Sequence, residues 1–388
     1  MRKSALMRIA DYNLYQRLYF LDNIKVFLTI LVIVHHVGQA YGPTGGFWEY
    51  QSSLGESISI LGRFFGVNSA FFMGFFFLIS GYFITLSYDK SNGEHFLQKR
   101  FVRLGIPLMF VFFIMKPLQM YFHHSLYSGN APITLFRYYT DIWFGFYGMP
   151  EGFIVTDVFP AMNFGHAWFI EHLLLYSIIY WCLRKILKNP LIKQEDKPFS
   201  ALNMIIIALI IAVLSVIVRI WYPIDDWRGV LGFFQVEVAH WPQYLTLFIV
   251  GIIAYRKNWL TALKTRTGYI ALAIGIVMAA AVYIGAPVWD IWPFYESFFA
   301  IALICGLITL FREKYNLTTP LLKTLSRSSY AAYIFHFPIV LSVQYLLDRV
   351  VIGGAVGKFI TVSIISVVVT YLVSILIIRV KPLRKIFT

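Results

Sequence analysis

The sequence predicts an all-α, polytopic membrane protein with about ten transmembrane helices and both termini in the cytoplasm. Three observations carry this. Of the 388 residues, 59% come from the set AVILMFWYC and only 13% are charged, against ~25% charged in an ordinary soluble domain. Apolar runs of about 17 to 25 residues, the length that crosses ~30 Å of hydrocarbon as a helix, recur from end to end. Lys and Arg collect in alternate connections between those runs. A net charge of +14 would suggest nucleic acid in a soluble protein, but positives placed between apolar runs report topology first, so no nucleic-acid partner is implied. Cys182 and Cys305 both lie within or at the ends of apolar segments, which supports neither a disulfide framework nor a Cys-rich metal site. Met1 to Phe20 carries charge and no early small-residue cleavage site, so the first apolar run is expected to be retained. Residues 1–388 read as a single transmembrane domain with no appended soluble domain.

The expected spans are 21–40, 68–87, 102–122, 166–187, 201–222, 240–255, 268–286, 294–311, 328–346 and 356–380. The first is apolar except for Lys25 and the pair His35 and His36. The second is a phenylalanine run ending in Ile79-Ser80-Gly81-Tyr82-Phe83, where Gly81 permits close approach of another helix. The third is entered through Lys99-Arg100-Phe101-Val102-Arg103 and Gly105-Ile106-Pro107. The fourth opens on His166-Ala167-Trp168-Phe169-Ile170-Glu171-His172. The sixth has Pro242 near its start, where a helix N-terminus tolerates it. The ninth is entered through Ser328-Ser329-Tyr330-Ala331-Ala332-Tyr333-Ile334-Phe335-His336, and the remaining spans are plain apolar runs.

Lys and Arg are retained on the cytoplasmic side, and most of the 33 fall in one alternating set: Arg2 to Arg17, Lys90 to Arg103, Arg184 to Lys197, Arg256 to Arg266, Arg312 to Arg327, and Arg379 to Lys385. The opposite set holds Arg63, Arg137, Arg219, Arg228, Arg349 and Lys358, with Lys25 and Lys116 left inside spans. The outer connections 41–67 and 123–165 are long. The second carries Tyr127, Tyr138, Tyr139, Trp143 and Tyr147 with Asp141, Glu151 and Asp157. Aromatic faces beside carboxylates suit a sugar, and an interfacial aromatic belt has the same composition.

Ionisable groups inside a span cost ~2.5 to 3.5 kcal/mol on insertion scales and usually face a cavity or a partner. Lys25 and His36 are eleven residues apart, nearly three turns, so they share a helix face about 16 Å apart along the axis, with His35 rotated off it by roughly 100°. With the N-terminus inside, Lys25 lies near the cytoplasmic surface and His36 past mid-membrane. A neutral imidazole there can take a proton from a hydroxyl, or simply bond to a neighbouring helix; Lys25 can line a passage or snorkel to the headgroups. The cations Lys99, Arg100 and Arg103 can clamp phosphates or anchor the helix to anionic lipid. Trp168 and His172 share a face, with Glu171 close to both, and Tyr333 and His336 form a polar stripe at i, i+3. No H-E-x-x-H spacing is present and no metal site is expected.

In this order the segments resemble the acyltransferase 3 family of integral-membrane O-acyltransferases. In that family a basic residue, usually Arg, precedes a His by ten intervening residues in the first helix; Lys25 and His36 take those positions. Its Phe-Ser-Gly segment resembles Phe77 to Tyr82, its basic entry to the third helix resembles Lys99 to Pro107, its Trp-Phe segment matches Trp168-Phe169, and its Ser-Tyr to His segment matches Ser329 to His336. Lys25 in place of Arg keeps the charge and loses the planar fork. Lys25, the paired histidines, Pro242 to Tyr244, and Gly251 before Arg256 are similar to the glucan-modifying members. The resemblance implies transfer of an acyl group from cytoplasmic acyl-CoA, a co-substrate, to a hydroxyl of an extracytoplasmic carbohydrate or glycan at the cell (plasma) membrane. It implies His36 as general base with His35 and Lys25 beside it, and donor binding by Lys99, Arg100, Arg103 and Arg327. Acceptor binding falls to Trp168, Glu171, His172, Tyr333 and His336. The competing readings from the residues alone are a transporter or flippase for a lipid-linked saccharide, although no inverted repeat is visible, and a non-catalytic membrane scaffold or sensor.

Overall fold

The computed structural model describes residues 18–43, 48–91, 93, 95–151, 162–187, 198–231, 234–350 and 352–388. A helix occupies every expected span: α1 (Tyr19–Gly38), α2 (Ile60–Ser69) running on into α3 (Phe72–Lys90), and α4 (Phe96–Tyr127). There follow α5 (Trp168–Leu187), α6 (Ala201–Arg219), α7 (Trp241–Lys257), α8 (Thr265–Tyr283), α9 (Trp292–Lys314), α10 (Pro320–Leu346), α11 (Gly354–Arg379) and the short α12 (Lys381–Phe387). Among the described residues, 8 spans are long and apolar enough to cross a membrane. The fourth and ninth expected spans, α5 and α10, are helices of 20 and 27 residues; the polar clusters at their starts lower their apolarity. The protein is an all-α integral membrane protein, with one hairpin among the described residues. Strands β1 (Trp227–Val230) and β2 (Phe234–Glu237) pair antiparallel, with Trp227 opposite Glu237 and Val230 opposite Phe234. The second span begins earlier than expected, since α2 occupies residues expected in the outer connection. At the break between α2 and α3 the side chain of Gln243 donates to the Ala70 carbonyl at 2.7 Å.

Prolines shape the helices around the future site. A proline lacks the N–H that would bond the carbonyl four residues earlier, so Pro107, Pro117 and Pro338 free the carbonyls of Arg103, Phe113 and Ile334. All three carbonyls receive side-chain donors from elsewhere: Tyr330 Oη to Arg103 O at 2.5 Å, Tyr139 Oη to Phe113 O at 3.2 Å, and His166 Nε2 to Ile334 O at 2.9 Å. In α4 the two prolines follow wide turns at Phe101–Gly105 and Val111–Met115, the π-type insertions that accommodate such interruptions.

The helices α3 and α7 cross in backbone contact. A Cβ at Gly81 would lie 2.0 Å from the Phe248 carbonyl oxygen, and one at Gly251 would lie 2.1 Å from that of Leu78; only glycine fits at either place. The partner of Gly81 is therefore α7. At the end where α1 starts and α3, α5 and α7 finish, Asp89 pairs with Arg184 at 3.2 Å and Arg256 at 2.7 Å. There too Asn23 Nδ2 donates to the carbonyls of Tyr315 and Leu317 at 2.7 and 3.0 Å. Near that end α12 packs on α4 and α10, with Phe387 buried against Phe335 at 5.2 Å between ring centroids. At the opposite end Lys358 is buried and its Nζ donates to the carbonyls of Leu347 and Asp348, closing the C-terminus of α10.

Candidate active site

A cavity of about 440 Å³ lies among the halves of the helices remote from the end where α1 starts. One wall comes from α1 (His35, His36, Gln39) and the segment after it (Trp48, Glu49); Lys116 of α4 and His166 at the entry to α5 adjoin them. The hairpin contributes Trp227, Gln235 and Glu237, preceded by Asp225. His240 and Tyr244 come from the start of α7, Trp289 and Trp292 from the start of α9, and Tyr333 and Phe337 from α10. Trp48, Trp168, Trp227, Trp289 and Trp292 give the lining broad aromatic faces, with amides and carboxylates between them.

The hydrogen bonds around His36 fix its tautomer. His336 Nδ1 lies 2.7 Å from the Tyr333 carbonyl, which can only accept, so Nδ1 carries the proton and Nε2 presents its lone pair. His36 Nδ1 lies 3.0 Å from the Val32 carbonyl and 3.1 Å from that Nε2, so it too must be the donor. His36 Nε2 is left as a lone pair, with no hydrogen-bond partner among the described residues, on a ring that lines the cavity and stacks on Trp48 at 5.8 Å and 24°. His166 is held the same way: its Nε2 serves the carbonyl freed by Pro338, its own carbonyl accepts from Tyr333 Oη at 2.5 Å, and its ring stacks on Phe337 at 4.9 Å. His35 Nε2 accepts from Gln39 Nε2 at 3.3 Å, and its ring sits among Phe64, Phe65 and Phe72.

Beside these histidines Lys116 Nζ meets Glu49 Oε1 at 2.5 Å, both side chains buried. Glu49 is positioned by His123 Nδ1, which donates to its carbonyl at 2.8 Å. At the hairpin end His240 Nδ1 is 2.8 Å from Glu237 Oε2, and Arg219 pairs with Glu296. Burial pushes the Glu237 carboxyl up, but His240, the Asp225 N–H and Arg219 together outweigh it and hold Glu237 below its ordinary range. Burial and then the neighbouring Glu237 raise Asp225. Among the described residues no group of three His, Cys, Asp or Glu converges as a metal site would.

The acyltransferase domain family Acyl_transf_3 matches residues 18–379, nearly the whole chain. The chain belongs to the acyltransferase 3 family. It is thus an acyltransferase, and an integral multi-pass membrane protein. It is similar to glucans biosynthesis protein C of Escherichia coli (strain K12), 25% identical over 308 residues, which cover 75% of this chain and 72% of that protein. The protein of the same name from Escherichia coli O1:K1 / APEC is 25% identical over 306 residues, again 75% of this chain and 72% of the relative. No solved structure gives a significant match.

Of the acyltransferase site residues expected from sequence, His35, His36, Trp168 and Tyr333 line the cavity, and His336 stands directly behind His36. Lys25 does not reach it: its ammonium pairs with Asp22 at 2.8 Å on the same helix and lies over the Phe83 ring at 5.2 Å. Glu171 and His172 support the wall rather than form it. Glu171 Oε2 accepts from the Gln235 N–H of the hairpin at 3.3 Å, and His172 bridges the Trp168 carbonyl and Trp241 Nε1 at 2.8 Å each. Lys99, Arg100, Arg103 and Arg327 lie away from the cavity at the starts of α4 and α10, which the Tyr330 to Arg103 bond ties together. Tyr127, Tyr138, Tyr139, Trp143 and Tyr147 do not line it either. Trp143 is buried on Phe112, Asp141 pairs with Arg137 at 3.0 Å, and Glu151 is exposed. Asp157 lies outside the described residues, as do Arg2, Lys3, Arg8, Arg17, Lys188, Lys193 and Lys197. Sequence reasoning missed Trp48, Glu49, the hairpin, His240, Trp289 and Trp292; Lys116 was visible as a charge within a span, without its partner.

Proposed function

We propose that this acyltransferase moves an acyl group from acyl-CoA on the cytoplasmic side to a hydroxyl of an extracytoplasmic carbohydrate, with His36 as general base. The observation that carries the reading is the unbonded lone pair of His36 Nε2 at the wall of a cavity rich in tryptophan. Aromatic rings offer flat faces to the C–H surface of a sugar, and Gln39, Asn163, Gln235 and the carboxylates offer partners to its hydroxyls. The names of the relatives, glucans biosynthesis proteins, support a glycan as acceptor. The donor's phosphates are assigned to Lys99, Arg100, Arg103 and Arg327, while the pantetheine arm carries the thioester inward. There the acceptor oxygen bonds to the acyl carbon as its proton moves to His36 Nε2. The C–S bond then breaks and the proton passes to the departing thiolate. His336 is a positioning residue: by accepting from Nδ1 it keeps the base nitrogen facing the cavity. The cations on the starts of α4 and α10 are taken as the inner end, with both termini in the cytoplasm, and the membrane is taken to be the plasma membrane.

Turnover of acyl-CoA by the purified protein in detergent tests this. His36→Ala should lower kcat by on the order of 10²- to 10⁴-fold, the usual contribution of a positioned base, and His35→Ala by less. Activity should fall at low pH as the imidazole is protonated. Full turnover by a folded His36→Ala protein would refute the assignment. Neutralising Arg100 or Arg103, or adding salt, should raise the KM for acyl-CoA, since exposed cation–phosphate pairs are screened.

A further inference from the structure

Lys116 is the only Lys or Arg among the described residues lining the cavity, and general-base chemistry at His36 leaves it without a role. We propose that Lys116 is a catalytic residue that donates a hydrogen bond to the thioester carbonyl oxygen as that oxygen becomes negative. The inference rests on the acyl-transfer reading of this cavity and deepens it.

The geometry is that of a built site. Lys116 Nζ lies 5.8 Å from the centre of the Phe337 ring, and the His36 ring lies 5.5 Å from the same ring centre, so cation and base share one neighbouring side chain. Glu49 Oε1 takes one of the three ammonium N–H groups, and the other two have no acceptor among the described residues. The stem passes over Gly165, whose φ is +51° and where a Cβ would lie 3.1 Å from Lys116 Cδ and 3.6 Å from Nζ. A side chain at that position would crowd the lysine. Glu49, itself held by His123, fixes the ammonium and offsets its charge in the resting site.

The pair is not explained by stability, because replacing both partners of a buried ion pair with neutral or apolar groups is often neutral or stabilising. Attack of the hydroxyl supplies what the resting site lacks, an oxyanion. The acceptor oxygen bonds to the acyl carbon, its proton goes to His36, and the carbonyl π electrons move onto oxygen. There the fixed ammonium donates without giving up its proton. Collapse re-forms the carbonyl, expels the thiolate and ends the contact. A donor already in place needs no reorganisation during the reaction, and such a donor contributes about 10²- to 10³-fold to kcat.

The test is the double variant Lys116→Met with Glu49→Gln, which removes the cation without stranding the buried carboxylate. It is assayed beside His36→Ala, with thermal unfolding and size exclusion in detergent confirming that both fold. The expected result is a loss of about 10²- to 10³-fold in kcat, with KM for acyl-CoA within a few fold of the unmutated protein and the pH midpoint of kcat unmoved, since the base is intact. A double variant that keeps kcat within threefold, or loses only KM, overturns the role of Lys116. If His36→Ala is inactive in that same comparison, the base assignment stands and only the lysine fails; if His36→Ala is active, the underlying reading fails first.

Discussion

His166 works through both of its polar ends: its ring N–H serves the carbonyl that Pro338 strips of its helical partner, and its own carbonyl accepts from Tyr333. Leaving a buried acceptor unsatisfied costs about 1–3 kcal/mol, so His166→Ala should lower the unfolding temperature. It should also slow turnover by loosening α10, which carries His336. Tyr333→Phe takes the donor from the His166 carbonyl but keeps both rings, so it should cost less than His166→Ala, toward the lower end of the same about 1–3 kcal/mol. Thermal unfolding of the two variants in detergent gives the order; a Tyr333→Phe protein less stable than His166→Ala would contradict it. At this scale the sequence revealed residues whose polarity is anomalous for a span, hence His36, Tyr333 and Lys116. It could not reveal their partners. Glu49 lies 67 positions from Lys116, and His336 lies 300 from His36; no local spacing encodes such pairs. Lys25 is the opposite case. Its partner Asp22 is a neighbour at i,i+3, and that local pair satisfies the charge where it stands.

Apolar runs marked the helices because each must hide its backbone from lipid, and length and hydropathy record that need directly. The hairpin escaped notice because its strands are 4 residues each, carry mixed polarity, and are held by Glu171 from another helix. The break before α3 and the wide turns of α4 likewise depend on donors far away in sequence. The crossing of α3 and α7 is where one element most constrains another. Gly81→Val should push the two helices apart, and overpacking of this kind typically costs ~1–3 kcal/mol, occasionally more. The control is Gly66→Ala in α2, whose Cβ would meet nothing closer than Trp289 at 3.7 Å. Melting of both variants should show a clear drop for the first and little change or a small gain for the second; equal melting temperatures would mean the crossing tolerates a side chain.

Among the described residues, positive charge is sorted by end across the molecule. The pairs of Asp22 with Lys25 and of Asp89 with Arg184 and Arg256 occupy the end where α1 begins, together with Arg100, Arg103 and Arg327. If positives are retained inside, Leu317→Cys should be shielded from an impermeant thiol reagent in intact cells and Tyr147→Cys, 80% exposed, should be labelled. Cys182 and Cys305 are first changed to Ser. The reverse labelling would invert the orientation and place the proposed donor cations on the wrong side.

The hairpin has a further consequence. Its second strand is buried, with Gln235 at 3% and Glu237 at 7% exposure, while Val230 and Leu231 near its tip are 48% and 84% exposed. It is a panel set into a wall made mostly of membrane helices, whose packing is coupled through glycine crossings and proline-freed carbonyls. Its cavity face is tied to those helices by Glu171 at the Gln235 N–H and by His240 at Glu237, so a change at the exposed tip can be absorbed in place, whereas a change in the buried strand is transmitted to the scaffold that holds His36 and Lys116.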